Sequence, residues 1–429
     1  MLNRRTLLLG GASATLAGCT VPTEVPTEDP KPPRLQENDW ASVRAQFALD
    51  PKDANFAAFV LAAHPAPVRA AIQRHRQGLD GDTAGYLERE DRDAAVRRAA
   101  ERYLGAKEGE VALADSTTMG LSLLYSGLRL RQGQEVLTTE HDFYATHENL
   151  RMLAERTGAR VTRVRLYDDP AKARAEQIVA ALKAGLTPRT RIVAVTWVHS
   201  GTGVRLPIRA IADMLAEANR GRDDNDRALL CVDGVHGFGA LADSVTDLGC
   251  DFLASGTHKW LFGPRGTGIV YGRAWEHVAP IIPSFSDPGF RAWFGGGAPA
   301  GPGGLINTPG GYKAFEHRWA MAEAFAFQTG IGKDRVQERT IELATRLKQG
   351  LAANPRVRLI TPMDPALSAG LVCCEIDGVT AFQAMERLRA RRILTSTTPY
   401  LQVYLRFGTS ILVSPEQVDQ AVKAVAALT

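Results

Sequence analysis

Ser255-Gly256-Thr257-His258-Lys259-Trp260-Leu261-Phe262-Gly263-Pro264-Arg265-Gly266-Thr267-Gly268 places one lysine directly behind a histidine, after an apolar run ending at Ala254 and ahead of a Gly/Pro-rich turn. A lysine at the end of a buried strand loses hydration, its pKa falls, and the neutral amine becomes able to attack a carbonyl. Lys259 therefore reads as a Schiff-base lysine at a strand-to-turn junction. A solvated loop lysine is the commoner alternative, so the neighbouring stretches have to decide.

Working outward, Val232-Asp233-Gly234-Val235-His236-Gly237 ends a buried-looking strand in a carboxylate and a tight turn. Open α/β sheets bind ligands at the carboxyl ends of their strands. Asp233 could hold a pyridine nitrogen protonated there, or cap the next helix. Asp115-Ser116-Thr117-Thr118-Met119-Gly120 sets hydroxyls and free N–H groups at a helix start, which suits a phosphate as well as plain N-capping. The helix dipole supplies only about 0.3–1 kcal/mol, so a covalent tether at Lys259 and a nearby histidine would have to help. Glu140-His141-Asp142-Phe143-Tyr144 follows another strand, and a ring from it could lie over a planar cofactor.

The runs Val111–Ala114, Glu135–Thr139, Arg160–Leu166, Arg191–Val198, Ala228–Val232, Cys250–Ala254 and Gly268–Tyr271 alternate with helical stretches such as Gly120–Leu130, Pro170–Leu186 and Ile208–Asn219. That alternation predicts an α/β fold with a mainly parallel sheet covered by helices on both faces. The amphipathic Glu90–Leu104 segment predicts a surface helix. Asp287–Gly311, dense in Gly and Pro, predicts a long functional loop. Beyond it Phe315–Ala353 is helical with a break near Gly330–Gly332. Short strands then alternate with helices opened by Thr380-x-x-Gln383 and Ser414-Pro415-x-Gln417 capping boxes, a smaller α+β domain. The expected organisation is a signal over 1–19, a linker over 20–38, an N-terminal segment over 39–64, a large domain over 65–312 and a small domain over 313–429.

Asn3-Arg4-Arg5-Thr6-Leu7-Leu8 and the short apolar stretch behind it look like a twin-arginine export signal. About 12 helical residues span roughly 18 Å, short of a hydrocarbon core of about 30 Å, so a transmembrane anchor is not expected. Leu16-Ala17-Gly18-Cys19 resembles a lipoprotein processing box, which makes Cys19 a candidate lipid anchor and the periplasm the expected compartment. Without Arg4 and Arg5 the 51 basic residues fall to 49 against 47 acidic ones, a balance that argues against nucleic acid as a partner. Cys231, Cys250, Cys373 and Cys374 lie in strand-like runs without metal-ligand spacing, and no metal is expected.

The order of these stretches resembles the class V aminotransferase family of fold type I pyridoxal-phosphate enzymes, which includes cysteine desulfurases, selenocysteine lyases and isopenicillin N epimerase. The resemblance runs from about Ala63 to the C-terminus and is most specific at Thr257–Leu261 and Gly263–Gly268. It implies pyridoxal 5′-phosphate bound through Lys259, with Asp233 on the pyridine nitrogen and His236 near the O3′ side. Thr117, Thr118 and His258 would hold the phosphate, joined by Ser255 or Thr257, and His141 would stack on the ring, with Phe143 as the substitute in a shifted register. A homodimer is implied, with Thr308 reaching the neighbouring subunit's phosphate, and Arg406 clamping a substrate α-carboxylate.

Ser200, a further cofactor-site candidate, stands where desulfurases carry asparagine, and no cysteine precedes Arg406 where a desulfurase would carry its persulfide nucleophile. The resemblance thus implies an exported enzyme acting on an amino acid or similar amine by transamination or epimerisation. The rival readings are a C–S or C–N lyase and a non-catalytic exported binding protein that retains the fold.

Overall fold

A computed structural model of the chain describes residues 34–428. The candidate export signal with Arg4 and Arg5, the Cys19 anchor and most of the linker lie outside the described residues. No helix among the described residues is long and apolar enough to cross a membrane.

Thirteen strands are described: β1 Ala54–Asn55, β2 Val111–Ala114, β3 Glu135–Thr139, β4 Arg160–Val164, β5 Thr190–Thr196, β6 Leu229–Asp233, β7 Phe252–Gly256, β8 Gly268–Gly272, β9 Val357–Leu359, β10 Leu371–Ile376, β11 Ile393–Leu394, β12 Ser396–Thr397 and β13 Leu405–Gly408. Seven build the large sheet in the order β2-β8-β7-β6-β5-β3-β4. Only β8 runs antiparallel to its neighbours, β2 and β7. The remaining pairs are parallel.

Strand side chains alternate between the two faces, so both faces must be covered. Ile192, Ala194, Leu229, Cys231 and Phe252 pack with Leu121, Leu124, Leu150 and Leu153 of the helices Thr117–Gly127 and Tyr144–Thr157. Val193, Val195, Leu230, Val232 and Leu253 pack with Ile178, Leu182, Ile211 and Leu215 on the opposite face. Within the large sheet only β4, at the edge, lacks a fully buried residue.

The small domain is the antiparallel sheet β12-β13-β10-β9 packed on the helices Lys333–Ala352, Ala381–Arg389 and Pro415–Ala426. Both expected capping boxes form. The helices Phe315–Trp319 and Met321–Ile331 belong with the large domain, because Met321, Ala324 and Phe325 join its core and Phe325 meets the Tyr103 and Phe238 rings. Gly332, at φ 95°, breaks the helical run, so the packing boundary falls there rather than at residue 313.

Asp287–Gly311 is not a continuous loop. Asp287–Gly295 is a helix capped by Ser286, with Pro288 in its first turn and left-handed Gly296 at its end. The Pro and Gly that suggested a loop are its start and stop signals. The N-terminal segment is tied to the small domain: β1 pairs with β11, and Phe56 packs in that domain's core against Phe407.

Candidate active site

The carboxyl edge of the large sheet gathers the reactive groups. Asp233 ends β6, Lys259 lies three residues beyond β7, Ser200 four beyond β5 and Phe143 four beyond β3. The small domain supplies Arg406 from β13. A cleft of about 170 Å³ is lined by these residues together with Phe59, Val60, Thr196, Val235, His236 and Pro399. The larger hollow of about 920 Å³ beside Arg358 and Glu375 contains no lysine and no buried carboxylate, so it offers no comparable chemistry.

Lys259 is held at about 8 rather than 10.5, chiefly by burial, with Asp233 opposing the shift and Arg406 adding to it. Asp233 is raised to about 6, again chiefly by burial, against the Val235 N–H that donates to its Oδ1 at 3.1 Å and the attraction of Lys259. In both partners desolvation outweighs mutual attraction, which leaves an amine able to lose its proton near neutral pH.

His236 accepts a hydrogen bond at Nδ1 from the Trp260 Nε1–H at 3.1 Å. Indole can only donate, so the imidazole carries its proton on Nε2, and burial keeps the ring neutral. Arg406 donates from Nε to Ser396 Oγ at 3.1 Å and from Nη1 to the Ser200 carbonyl at 2.9 Å, with its Cζ 4.7 Å from the Phe59 ring centroid. These contacts fix the guanidinium while Nη2 keeps no hydrogen-bond partner among the described residues, a geometry able to receive a carboxylate.

At the start of the helix Thr117–Gly127, Ser116 Oγ accepts the Met119 N–H and Thr117 Oγ1 accepts the Gly256 N–H at 2.7 Å. A Cβ on Gly256 would lie 2.7 Å from His258 Cε1 and 3.2 Å from Thr117 Oγ1. Glycine there lets Thr117 and His258 share one corner. Thr118 is exposed beside them, so this helix start can take a phosphate.

Other expected residues are placed differently. Ser255 and Thr257 are fully buried; Ser255 donates to the Gly256 carbonyl and Thr257 bonds Thr267, so both hydroxyls turn into the loop. Thr308 accepts the Leu113 N–H and donates to the Gly304 carbonyl, which commits its hydroxyl to the free edge of β2 in its own chain. His141 accepts the Leu166 N–H at Nε2 and stacks on Tyr167 at 3.9 Å. Phe143, not His141, faces the cleft, because the turn after β3 spends His141 on the β4 side. Ser200 bonds Tyr400 Oη through its Oγ at 2.7 Å.

Phe59, Thr196, Trp260 and Tyr400 were not singled out by sequence reasoning. Phe59 carries no local signal beyond being apolar, and Tyr400 none beyond following a proline. Thr196 is paired in register with Asp233, and its buried Oγ1 has no partner. That orphaned hydroxyl, the Asp233 carboxylate, the Nε2–H of His236, the basic amine and the helix start form a set that fits pyridoxal phosphate.

A buried amine beside a carboxylate on a mixed sheet, with a phosphate-type helix start and an arginine from a second domain, defines a fold type I pyridoxal-phosphate enzyme. Residues 89–286 match the model of Aminotransferase class-V, so over that span the chain is similar to the class V aminotransferases, a similarity that implies pyridoxal phosphate as cofactor. It is 29% identical over 416 residues to an isopenicillin N epimerase of Streptomyces clavuligerus, covering 91% of this chain and 98% of that one. It is 27% identical to a cysteine desulfurase of Salmonella gallinarum, covering 68% of each. Among solved structures, a cystine C–S lyase in complex with its product cysteine persulfide superposes with a TM-score of 0.75 at 21% identity, covering 88% of this chain and 98% of that one. A cysteine desulfurase of Escherichia coli gives 0.76 at 21%, covering 91% and 98%.

Proposed function

We propose that the protein is an exported pyridoxal-phosphate enzyme that labilises the α-proton of an α-amino acid with a neutral side chain, for transamination or epimerisation. The observation that carries this reading is Lys259, brought by burial to about 8 and lining one cleft with Asp233 and Arg406. Pyridoxal phosphate, when bound, supplies an electron sink for the pair left at Cα. Lys259 accepts the proton, Arg406 fixes the α-carboxylate, and Asp233 holds a charge against the pyridine nitrogen. Phe59, Val60, Phe143, Val235 and Pro399 form the apolar part of the lining, and Arg406 is its only arginine, which supports a single-carboxylate substrate.

Desulfuration is the weaker reading. Cys373 stands opposite Arg406 on β10, but its thiol is fully buried and pushed up to about 12 by burial. A panel of the twenty protein L-amino acids in D2O, followed by proton NMR, is expected to show loss of the α-proton signal for a subset with neutral side chains. Sulfide or persulfide release from cysteine without any α-proton exchange would overturn the proposal in favour of the lyase.

The homodimer implied by the family resemblance is supported by the exposed Trp293, Phe294 and Tyr312, large apolar side chains of the kind that a partner surface covers. Export rests on Arg4-Arg5. Changing both to lysine is expected to leave the holoprotein in the cytoplasm on cell fractionation, and normal export of that variant would refute a twin-arginine route.

A further inference from the structure

Ser200 lines the cleft, and directly behind its hydroxyl stands the phenol of Tyr400. The strand order β7-β6-β5-β3 runs from the strand before Lys259 to the strand before Phe143, with Asp233 between them on β6. At 4.7–4.9 Å per strand, three intervals separate the two ends by roughly 14 Å. Tyr400 belongs to the far wall: its ring packs edge-on against Phe143, with centroids 5.9 Å apart, and its Oη bonds Ser200 Oγ at 2.7 Å. Its neighbour Pro399 lines the cleft. A Cβ on Gly201 would come within 3.0 Å of the Tyr400 ring, so a glycine is what lets the ring sit there. The phenol is half-buried, and burial raises it above its ordinary range, so it keeps its proton at neutral pH.

We propose that Tyr400 is the acid–base residue of the wall opposite Lys259, and that the enzyme inverts its substrate at Cα. The inference rests on the α-proton chemistry proposed above and specifies its stereochemistry. In one direction the Cα–H bond breaks toward Lys259 Nζ, an N–H bond forms, and the electron pair passes to the cofactor. The Tyr400 O–H bond then breaks, a C–H bond forms on the other face with that electron pair, and a phenolate remains. Ser200 Oγ–H returns a proton to the phenolate and is itself reprotonated from solvent, while Lys259 releases its proton to solvent. The reverse direction exchanges the two roles, and no oxidant or reductant is consumed.

The test uses holoenzyme and both enantiomers of each amino acid that the L-amino-acid panel finds reactive. Wild type is expected to wash deuterium into both enantiomers and to interconvert them on chiral chromatography. Tyr400→Phe keeps the ring and its contact with Phe143. It is expected to exchange one enantiomer only and to lose inversion by about 10²–10⁴-fold, the usual contribution of a positioned acid or base. Its affinity for 2-aminoisobutyrate, which has no α-proton, should be unchanged when read from the visible absorption of the bound cofactor. Ser200→Ala, which removes only the partner of the phenol, is expected to reduce inversion less. Inversion at the wild-type rate by Tyr400→Phe, or exchange of only one enantiomer by wild type, would overturn the role of Tyr400 and leave the α-proton chemistry standing. Wild type that exchanges no α-proton at all overturns both.

Discussion

Lys259→Ala is expected to lose the borohydride-reducible visible band of the holoprotein and α-proton exchange by about 10⁴-fold or more, because it removes both the covalent tether and the base. The pH dependence of the wild type follows from the same residue. Only the neutral amine attacks an aldehyde, and burial brings Lys259 to about 8, so cofactor-free protein should take up pyridoxal phosphate faster as pH rises from 7 to 9, with a midpoint near that value. Stopped-flow absorbance measures this directly. A band that survives in Lys259→Ala, or uptake that is flat across this range, would show that another group forms the link. The helix start at Thr117 can retain some cofactor without the tether, so residual binding that borohydride cannot trap is compatible with the expectation.

Asp233→Asn should separate stability from activity. Burial raises the Asp233 carboxyl from 3.8 to about 6, so the folded chain holds this proton more tightly than the unfolded one. The contribution is favourable at low pH and is lost as pH rises from about 4 through about 6. About two pH units correspond to about 3 kcal/mol above pH 7. Asparagine keeps the shape without the charge, so cofactor-free Asp233→Asn should melt higher than wild type at pH 7.5. The advantage should narrow below pH 6 and vanish below about 4. The same change removes the charge facing the pyridine nitrogen and is expected to cost about 10²–10³-fold in activity, as loss of one preorganised electrostatic partner does. Calorimetry across pH and the exchange assay measure the two effects. A variant less stable than wild type at pH 7.5 would mean that attraction to Lys259 outweighs desolvation.

The large sheet and the positions of Lys259 and Asp233 were legible because short continuous apolar runs and strand-ending polar residues are local signals. The site's second wall was not. Whether His141 or Phe143 faces the cleft depends on how one turn packs against Tyr167, a contact between the segments that follow β3 and β4 that no local pattern encodes. Ser255, Thr257 and Thr308 have hydroxyls of the right type at family-like positions, but their direction is set by backbone groups of the surrounding loops. Arg406 was legible as a residue type, whereas its platform, Phe59, is about 350 residues away in sequence. The helix Asp287–Gly295 was missed because its capping residues are the same Gly and Pro that mark loops.

The pairing of β1 with β11 also constrains the order in which the enzyme can be built. Ala54 is hydrogen-bonded alongside Ile393, and Phe59, a few residues on, backs both Arg406 and Trp260. During synthesis the N-terminal residues leave the ribosome first, yet their partners are among the last to emerge. Domains otherwise fold as units while the chain is still being made. The large sheet and Lys259 can therefore assemble on a nascent chain, but the arginine side of the cleft cannot close until translation has almost finished. A ribosome stalled before residue 390 would carry a chain able to tether the cofactor and unable to select a substrate.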